Sequence, residues 1–425
     1  MTEATFAVLM ALVLGWAVTS HLWDRLNITG ALVFTVAGYL LGNRTWGPLA
    51  VDVEAPSIHV LAELTLALLL FSDAVRVNAS QLRHDLSFPG RLLGIGLPLS
   101  VLLGSLVAAV IFDDFSWALA GFVGATLAPT DAALSVQVIN DERISLRVRR
   151  ALNVESGLND GLATPVVAFT IAVVADQVGT TGHGESSGGA LVDLASGIVV
   201  GLVFGLGTAA LITFGSRRRW VVAGGQRLAT LAAALASFAL ALALDGNGFI
   251  AAFVAGIAFG ARLSADVADV QEVAELPELL GELLALAVWF LFGAALVPMA
   301  LDHLSASTLA YALLSLTVLR MLPVAISLLG AGLDGWTVAF VGWFGPRGLA
   351  SVVFALLAIE ELGGGSQLAA TAVAGVALTV LLSVVLHGVS AGPLGRRYVL
   401  AEAEPKPADV PRSRRPGHRS VPRDR

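Results

Sequence analysis

The chain has 425 residues, of which 56% are hydrophobic and only 13% are charged. Its mean hydropathy is +0.82, and soluble domains contain roughly 25% charged residues, so the composition excludes an ordinary soluble domain and indicates an integral membrane protein. The absence of cysteine excludes disulfides and thiol chemistry. The formal net charge of -7 says little alone, because what matters in a membrane protein is where the charges lie.

Apolar runs recur from end to end, and each is long enough to cross a hydrocarbon core of about 30 Å as a helix. They predict an all-α polytopic membrane protein whose thirteen transmembrane helices lie near residues 4–22, 28–42, 58–74, 92–112, 116–139, 151–175, 190–214, 226–244, 248–262, 277–299, 306–330, 335–358 and 367–392. The first residues lack the basic start of a secretory signal, so the first run is expected to be a retained helix.

The loop arginines predict an orientation, because cytoplasmic loops retain basic residues. If the N-terminus is outside, the cytoplasmic loops contain Arg25, Arg76, Arg83, Arg91, Arg143, Arg147, Arg149, Arg150, Arg217, Arg218, Arg219, Arg227 and Arg262. Arg44 is the only arginine in the other loops. We therefore expect a multi-pass protein of the cell membrane with its N-terminus outside and its C-terminus in the cytoplasm.

The C-terminal residues differ in composition from the rest of the chain. Residues 396–425 are basic and rich in proline, which predicts a disordered cytoplasmic tail. Residues 1–395 are predicted to form the transmembrane domain.

Thirteen helices can be divided into two six-helix units and one linker, which relates helix n to helix n+7 in opposite orientation. Inverted repeats of this kind are typical of secondary transporters. The fifth span contains GATLAPTDAAL and the twelfth contains VGWFGPRGLAS, so both place proline and glycine beside a charge in mid-membrane. Such breaks are tolerated in lipid where protein or a water-filled cavity satisfies the freed backbone. We predict broken crossing helices that mark a binding site; for either helix alone, a packing kink is the alternative.

Three charged side chains are predicted to lie near the membrane midplane. Counting about 1.5 Å per residue from the cytoplasmic ends of their spans places Asp131, Asp160 and Arg347 in one layer. A charge there costs from about 2.5 to more than 10 kcal/mol, so each needs a partner or a function. Asp131 has two possible roles, as an ion ligand through water or as a neutralising charge at the half-helix ends.

The polar stretch NVESGLNDG divides by helix face. Ser156 and Asp160 are four residues apart and share one face, which offers the oxygen ligands that an alkali cation needs. Glu155 and Asn159 share the adjacent face, which suits a permanent cation. Because a guanidinium stays charged in lipid, we predict a bidentate ion pair between Glu155 and Arg347, with Asn159 in support.

This assignment leaves Asp160 without a permanent partner. Burial favours the protonated form of a lone carboxylate, so Asp160 is expected to hold either a proton or a cation, but hardly both. Offered alternately to the two sides of the membrane, such a site exchanges the two ions. Asn159 cannot titrate, so Asp160 is the only acid of this adjacent pair. A single acid predicts that one proton is exchanged for each monovalent cation and that no net charge crosses the membrane.

These residues resemble the monovalent cation:proton antiporter family, in its sodium/proton exchanger branch. VESGLNDG is similar to the family's Glu-Ser-x-x-Asn-Asp signature, APTDAAL to its Thr-Asp-Pro crossover, LLLFSDAVRV to its third-span Leu-Phe-Glu segment, GNGFIAAFVAGIAFG to its ninth span and FGPRGLAS to its Arg-Gly segment. The likeness covers nearly the whole membrane region. Two positions depart from the pattern, since Asp73 stands where the family commonly has Glu and Ala132 replaces the usual proline.

The resemblance implies a site and an assembly. Asp160 would exchange the proton and the cation, and Na⁺ would be held by Asp160, Ser156 and the backbone at Thr130, with Asp131 in support. Asp73 is a further candidate ligand, although an interfacial acid beside an arginine is an equal alternative. The family also implies a homodimer in which a core domain, near residues 92–175 and 306–392, moves against a dimerisation domain formed by the other spans.

The expected function is electroneutral exchange of Na⁺ or Li⁺ for H⁺ in pH homeostasis, with both ions as substrates and no cofactor, enzyme activity or nucleic-acid partner. K⁺/H⁺ exchange with the same residues is the first alternative. An intramembrane aspartyl protease formed by Asp131 and Asp160 is a weaker one, because Arg347 and the broken helices have no evident role in such a dyad. No Gly-x-x-x-x-Gly-Lys loop is present, which argues against a nucleotide-driven pump.

Overall fold

The computed structural model describes residues 3–26, 28–43, 45–49, 51–52, 55–76, 87–178, 187–264, 267–362 and 366–403. Within these ranges the secondary structure is helical and contains no strand, as the composition predicts. Nine helices in the described part of the chain are long and apolar enough to cross a membrane, and Gly30–Gly42, Trp117–Thr126 and Gly248–Arg262 are shorter apolar helices. The protein is therefore an all-α multi-pass membrane protein.

Each predicted span coincides with one helix or with two half-helices. In chain order the helices are α1 (Glu3–Leu26), α2 (Gly30–Gly42), α3 (Pro56–Arg76), α4 (Ser87–Ile111), α5 (Trp117–Thr126, then Ala132–Ser135 and Val136–Ile139), α6 (Leu146–Val178), α7 (Ser187–Arg217), α8 (Ala223–Ala243), α9 (Gly248–Arg262), α10 (Val270–Asp302), α11 (Ala306–Ser327), α12 (Gly335–Trp343, then Leu349–Leu362) and α13 (Gln367–Ala403). The predicted loop residues Arg44 and Arg83 lie outside the described ranges.

The two interrupted helices, α5 and α12, cross at their breaks. The Asp131 backbone N–H, in the break of α5, donates to the Pro346 carbonyl in the break of α12 at 2.9 Å. The Ser351 hydroxyl donates to the Thr126 carbonyl at 2.6 Å. The predicted breaks are confirmed, and they form one joint crossing in which each helix supplies partners for the freed backbone of the other.

The predicted start of the C-terminal tail at residue 396 is wrong. α13 continues to Ala403, because Tyr398 is fully buried against α12. The Tyr398 ring stacks on Phe340 with 4.1 Å between ring centroids, and its hydroxyl lies 3.0 Å from the Thr337 hydroxyl. The rest of the predicted tail, residues 404–425, lies outside the described residues.

Close backbone contact joins α2 to α10. A Cβ atom at Gly38 would overlap the Phe290 carbonyl oxygen, and a Cβ atom at Gly293 would overlap the Thr35 carbonyl oxygen. Lipid supplies no hydrophobic force between membrane helices, so their association depends on close packing, and small residues allow two backbones to approach. These two reciprocal glycines therefore fix the distance between α2 and α10.

We expect Gly293→Ala to lower the free energy of unfolding by about 1–3 kcal/mol, since the added methyl overpacks a tight contact. The measurement is thermal unfolding of the detergent-solubilised protein. Gly375→Ala is the matched control, because nothing lies within 4 Å of a Cβ built at Gly375. Equal stability losses in the two variants would contradict the packing argument.

Candidate functional site

A cavity of about 360 Å³ extends from the crossing of α5 and α12 towards the arginine-rich end of the protein. Its deep part is lined by Thr130, Asp131, Ser156 and Asp160. Its lining also includes Arg76, whose side chain is 43% exposed, so the cavity reaches the surface. α3 and α10 line one side, and α5, α6 and α12 line the other.

The predicted division of α6 into two faces is confirmed. Ser156 and Asp160 line the cavity, and Asp160 is partly exposed within it. Glu155 and Asn159 are 2% and 1% exposed and lie outside the cavity lining. Because α6 is a continuous helix here, the spacing of four residues fixes both pairs.

The predicted ion pair between Glu155 and Arg347 is wrong. Both Glu155 carboxylate oxygens accept from Arg320 of α11, Oε1 from Nη1 at 2.5 Å and Oε2 from Nη2 at 2.9 Å. Both side chains are 3% exposed. The bidentate pair predicted for Glu155 is therefore present, but its partner is Arg320 and not Arg347, because helix depth does not give the direction in which a side chain points.

Arg347 instead binds backbone carbonyls. Its Nη1 donates to the carbonyls of Ala128 at 2.8 Å and Pro129 at 3.2 Å, and its Nη2 donates to the Ser315 carbonyl at 3.2 Å. Ala128 and Pro129 lie in the break of α5, where carbonyls have lost their helical donors. The guanidinium has no need of a carboxylate, since it replaces those donors and its charge faces the negative end of a half-helix.

Asn159 supports the break of α5, and not Arg347 as predicted. Its Nδ2 donates to the Thr130 hydroxyl at 2.7 Å. The Thr130 hydroxyl lies 3.3 Å from the Ser156 hydroxyl, and both residues are buried. Asn159 thus fixes Thr130 beside Ser156, at the deep end of the cavity.

Asp131 caps two half-helices. Its Oδ1 accepts the Ala133 N–H at 2.8 Å, and its Oδ2 accepts the Leu349 N–H at 3.0 Å. These groups begin the second halves of α5 and α12, where the helix dipole favours a negative charge. Of the two roles left open for Asp131, the geometry supports neutralisation of the half-helix ends.

Asp73 faces the same cavity as Asp160. The carboxylates of Asp73 and Asp131 both act electrostatically on that of Asp160, so a cation or a proton there relieves repulsion. In the described ranges no group of three His, Asp or Glu side chains has the arrangement of a metal centre. A monovalent cation would instead be held by one carboxylate with hydroxyl and carbonyl oxygens, the ligands that hard cations prefer.

Two acids of the cavity were missed by sequence reasoning. Glu278 and Glu282 of α10 line the cavity, and Glu278 forms an ion pair with Arg76 of α3. Their spacing of four residues within one predicted span was the available signal, because it places both carboxylates on one helix face. Arg76 therefore forms its ion pair with α10, and it also acts electrostatically on Asp73 one helical turn before it.

The sequence comparisons identify the family. Residues 8–397 match the profile described as "Sodium/hydrogen exchanger, transmembrane". The K(+)/H(+) antiporter NhaP of Alkalimonas amylolytica is 25% identical over 356 residues, which cover 83% of this chain and 60% of that protein. The K(+)/H(+) antiporter NhaP2 of Shewanella sp. (strain MR-4) is 25% identical over 394 residues, covering 92% and 66%. The chain thus spans less than two thirds of the length of either relative.

The fold is similar to that of the sodium proton antiporter MjNhaP1 from Methanocaldococcus jannaschii at pH 8. The TM-score is 0.75 at 22% identity, and the match covers 94% of this chain and 100% of that one. A second structure of the same antiporter gives a TM-score of 0.71 at 20% identity, covering 96% and 100%. At these identities the likeness concerns the fold alone.

The corrected ion pair predicts a specific energetic coupling. Glu155→Gln or Arg320→Gln alone should lower the free energy of unfolding by about 3–5 kcal/mol, because each leaves a buried charge unpaired. The double variant Glu155→Gln/Arg320→Gln should lose less than the sum, since it leaves neither charge behind. The measurement is a double-mutant cycle of thermal stability.

The same cycle with Arg347→Gln in place of Arg320→Gln is the matched comparison. We expect the smaller coupling to Glu155 there, because the Arg347 guanidinium bonds to carbonyls. A larger coupling of Glu155 to Arg347 than to Arg320 would contradict the observed pairing.

Proposed function

Because the chain belongs to the sodium/hydrogen exchanger family, we propose that it exchanges a monovalent cation for protons by competition at Asp160. One observation carries this proposal. Asp160 is partly exposed within the cavity, and among the described residues no basic side chain forms an ion pair with it. An intramembrane acid without a fixed partner is free to change partner, as ion exchange requires.

The proposed cation site combines Asp160 with two neighbouring oxygen donors. The Asp160 carboxylate, the Ser156 hydroxyl and the backbone or hydroxyl at Thr130 would replace part of the hydration shell of Na⁺ or Li⁺. Asn159 contributes by fixing the Thr130 hydroxyl through its amide. Protonation of Asp160 removes the charge that holds the cation, so proton and cation exclude each other.

We propose one proton for each cation and therefore no net charge moved. Asn159, next to Asp160, cannot titrate. We assign the exchanged proton to Asp160 and not to Asp131, because both oxygens of Asp131 already accept backbone N–H groups at two half-helix ends. The same capping bonds argue against a protease dyad of Asp131 and Asp160, and the family is one of transporters and not of enzymes.

Potassium is the second candidate cation. Sodium is named for MjNhaP1, whose fold this chain shares, whereas the two curated relatives are named K(+)/H(+) antiporters. The proposed ligands are hard oxygens, and these bind either ion. We propose sodium or lithium exchange first, and potassium exchange at the same residues as the alternative.

The proposed setting is a homodimer in the cell membrane, with the N-terminus outside and the cavity open to the cytoplasm. Arg76, Arg147 and Arg150 line the part of the cavity that reaches the surface, and basic residues favour the cytoplasmic side. In this arrangement α4 to α6 and α11 to α13 would form the moving core, and the remaining helices the dimerisation domain.

We expect Asp160→Asn to abolish cation/proton exchange in proteoliposomes, because asparagine carries neither the exchangeable proton nor the charge that holds the cation. The measurement is cation-induced dequenching of a pH-sensitive dye. Asp302→Asn is the matched control, because it removes the same charge from an exposed position outside the cavity lining. Normal exchange by a folded Asp160→Asn protein would end the proposal.

Electroneutral exchange predicts that the initial rate does not respond to an imposed membrane potential. The assay compares sodium, lithium and potassium gradients with and without a potassium-independent diffusion potential across the vesicles. A rate that follows the potential would overturn the one-acid stoichiometry. The cation that gives the lowest half-saturating concentration decides between sodium and potassium exchange.

A further inference from the structure

One face of α13 holds the break of α12. The Arg347 backbone N–H donates to the Ser383 hydroxyl at 2.7 Å, and His387 Nε2 lies 2.9 Å from the Trp343 carbonyl. The Trp343 indole N–H donates to the Ser390 hydroxyl at 2.9 Å. Ser383, His387 and Ser390 are spaced by four and three residues, which places them on one side of the helix. We call these three residues the α12 clamp.

The clamp supplies partners that the broken helix lacks. Trp343 ends the first half of α12, and its carbonyl accepts the Gly345 N–H and lies 2.9 Å from His387 Nε2. The other ring nitrogen, Nδ1, lies 2.9 Å from the Ser383 carbonyl and 3.3 Å from the Ser383 hydroxyl, which can donate to it when the ring proton is on Nε2. The His387 ring also stacks on Trp343, with 5.1 Å between ring centroids. Ser383 and His387 are buried. In the membrane interior, freed backbone groups of this kind need partners within the protein.

The break of α12 is in turn bonded to the proposed ion site. The Arg347 side chain donates to the Ala128 and Pro129 carbonyls, which directly precede Thr130. The backbone of Asp131, directly after Thr130, donates to Pro346. A displacement of the α12 break is therefore transmitted to both sides of Thr130.

We propose that His387 is a positioning residue for the ion site: as the tautomer with its proton on Nε2, it donates to the α12 break, and through Arg347 it fixes Thr130 beside Ser156 at the deep end of the cavity. This inference rests on the proposed function, since it assigns a role in cation binding at the same site. His387 lies outside the cavity lining and does not touch the cation. Its contribution is one hydrogen bond and the orientation that this bond imposes.

The test compares two substitutions of His387 in the full-length protein reconstituted in proteoliposomes. His387→Gln keeps an N–H donor near the position of Nε2 but cannot titrate, and His387→Leu removes the donor. We expect His387→Leu to raise the KM for the cation about tenfold, as an unpaired buried polar group costs roughly that factor. His387→Gln should keep the KM and the pH profile of the unmodified protein.

Thr379→Val is the matched control. Thr379 is buried one helical turn before Ser383 on the same face, and its hydroxyl donates to the Gly375 carbonyl within α13 at 2.7 Å. This variant removes a buried hydroxyl without removing a bond to α12. We expect its KM for the cation to be unchanged.

Two kinetic results would overturn the proposal. The first is an unchanged KM in His387→Leu with a maximal rate that falls only in proportion to the folded fraction, as a purely structural role predicts. The second is a His387→Gln protein as impaired as His387→Leu, which would mean that the ring itself, or its titration, is required.

A labelling experiment separates this proposal from the proposed function. The chain contains no cysteine, so Ala132→Cys places a single thiol in the cavity lining beside Asp131. Adding His387→Leu should change the maleimide labelling rate of this thiol severalfold, whereas adding Thr379→Val should not. Unchanged labelling after either addition would overturn the positioning role of His387. A protein that exchanges no cation but shows the labelling difference would overturn only the proposed function.

Discussion

The crossing of α5 and α12 is the constraint on which the rest of the site depends. In hydrocarbon, each backbone N–H and C=O that leaves a helix must find a partner within the protein. Two helices broken at the same place have twice as many free backbone groups, and here each helix supplies partners for the other. Asp131 accepts N–H groups at the start of the second half of each helix, and Arg347 donates to carbonyls in the break of α5.

This arrangement gives two of the three midplane charges a structural role. A negative side chain lies where helices begin and a positive one where a helix ends, so both charges complement the half-helix dipoles. Asp160 has no such role, because it projects from α6, which is continuous at this position. Of the three midplane charges, Asp160 is therefore the one that the crossing leaves available for exchange.

The buried pair of Glu155 and Arg320 joins α6 to α11, two helices that are far apart in the sequence. A buried ion pair is weak evidence for stability, because desolvation offsets much of its attraction. The role of this ion pair is to fix the orientation of α6. With Glu155 held by α11 and Asn159 bonded to Thr130, the rotation of α6 is fixed, and Ser156 and Asp160 are turned towards the cavity.

The amino-acid sequence alone predicts the helical membrane fold, the positions of the spans, the two breaks, the two faces of α6 and the family. The family follows from the resemblance of motifs such as VESGLNDG. The other properties follow from composition, hydrophobic length, proline and glycine positions and the spacing of four residues, all of which are local. The folded structure was needed to show that Glu155 pairs with Arg320, that Asp131 caps two half-helices, that Glu278 and Glu282 line the cavity, and that α13 continues to Ala403. Counting residues along a helix gives the depth of a side chain in the membrane but not the direction in which it points. The depth count therefore selected Arg347 as the partner of Glu155, and only the packing of α11 against α6 shows that Arg320 points towards this carboxylate.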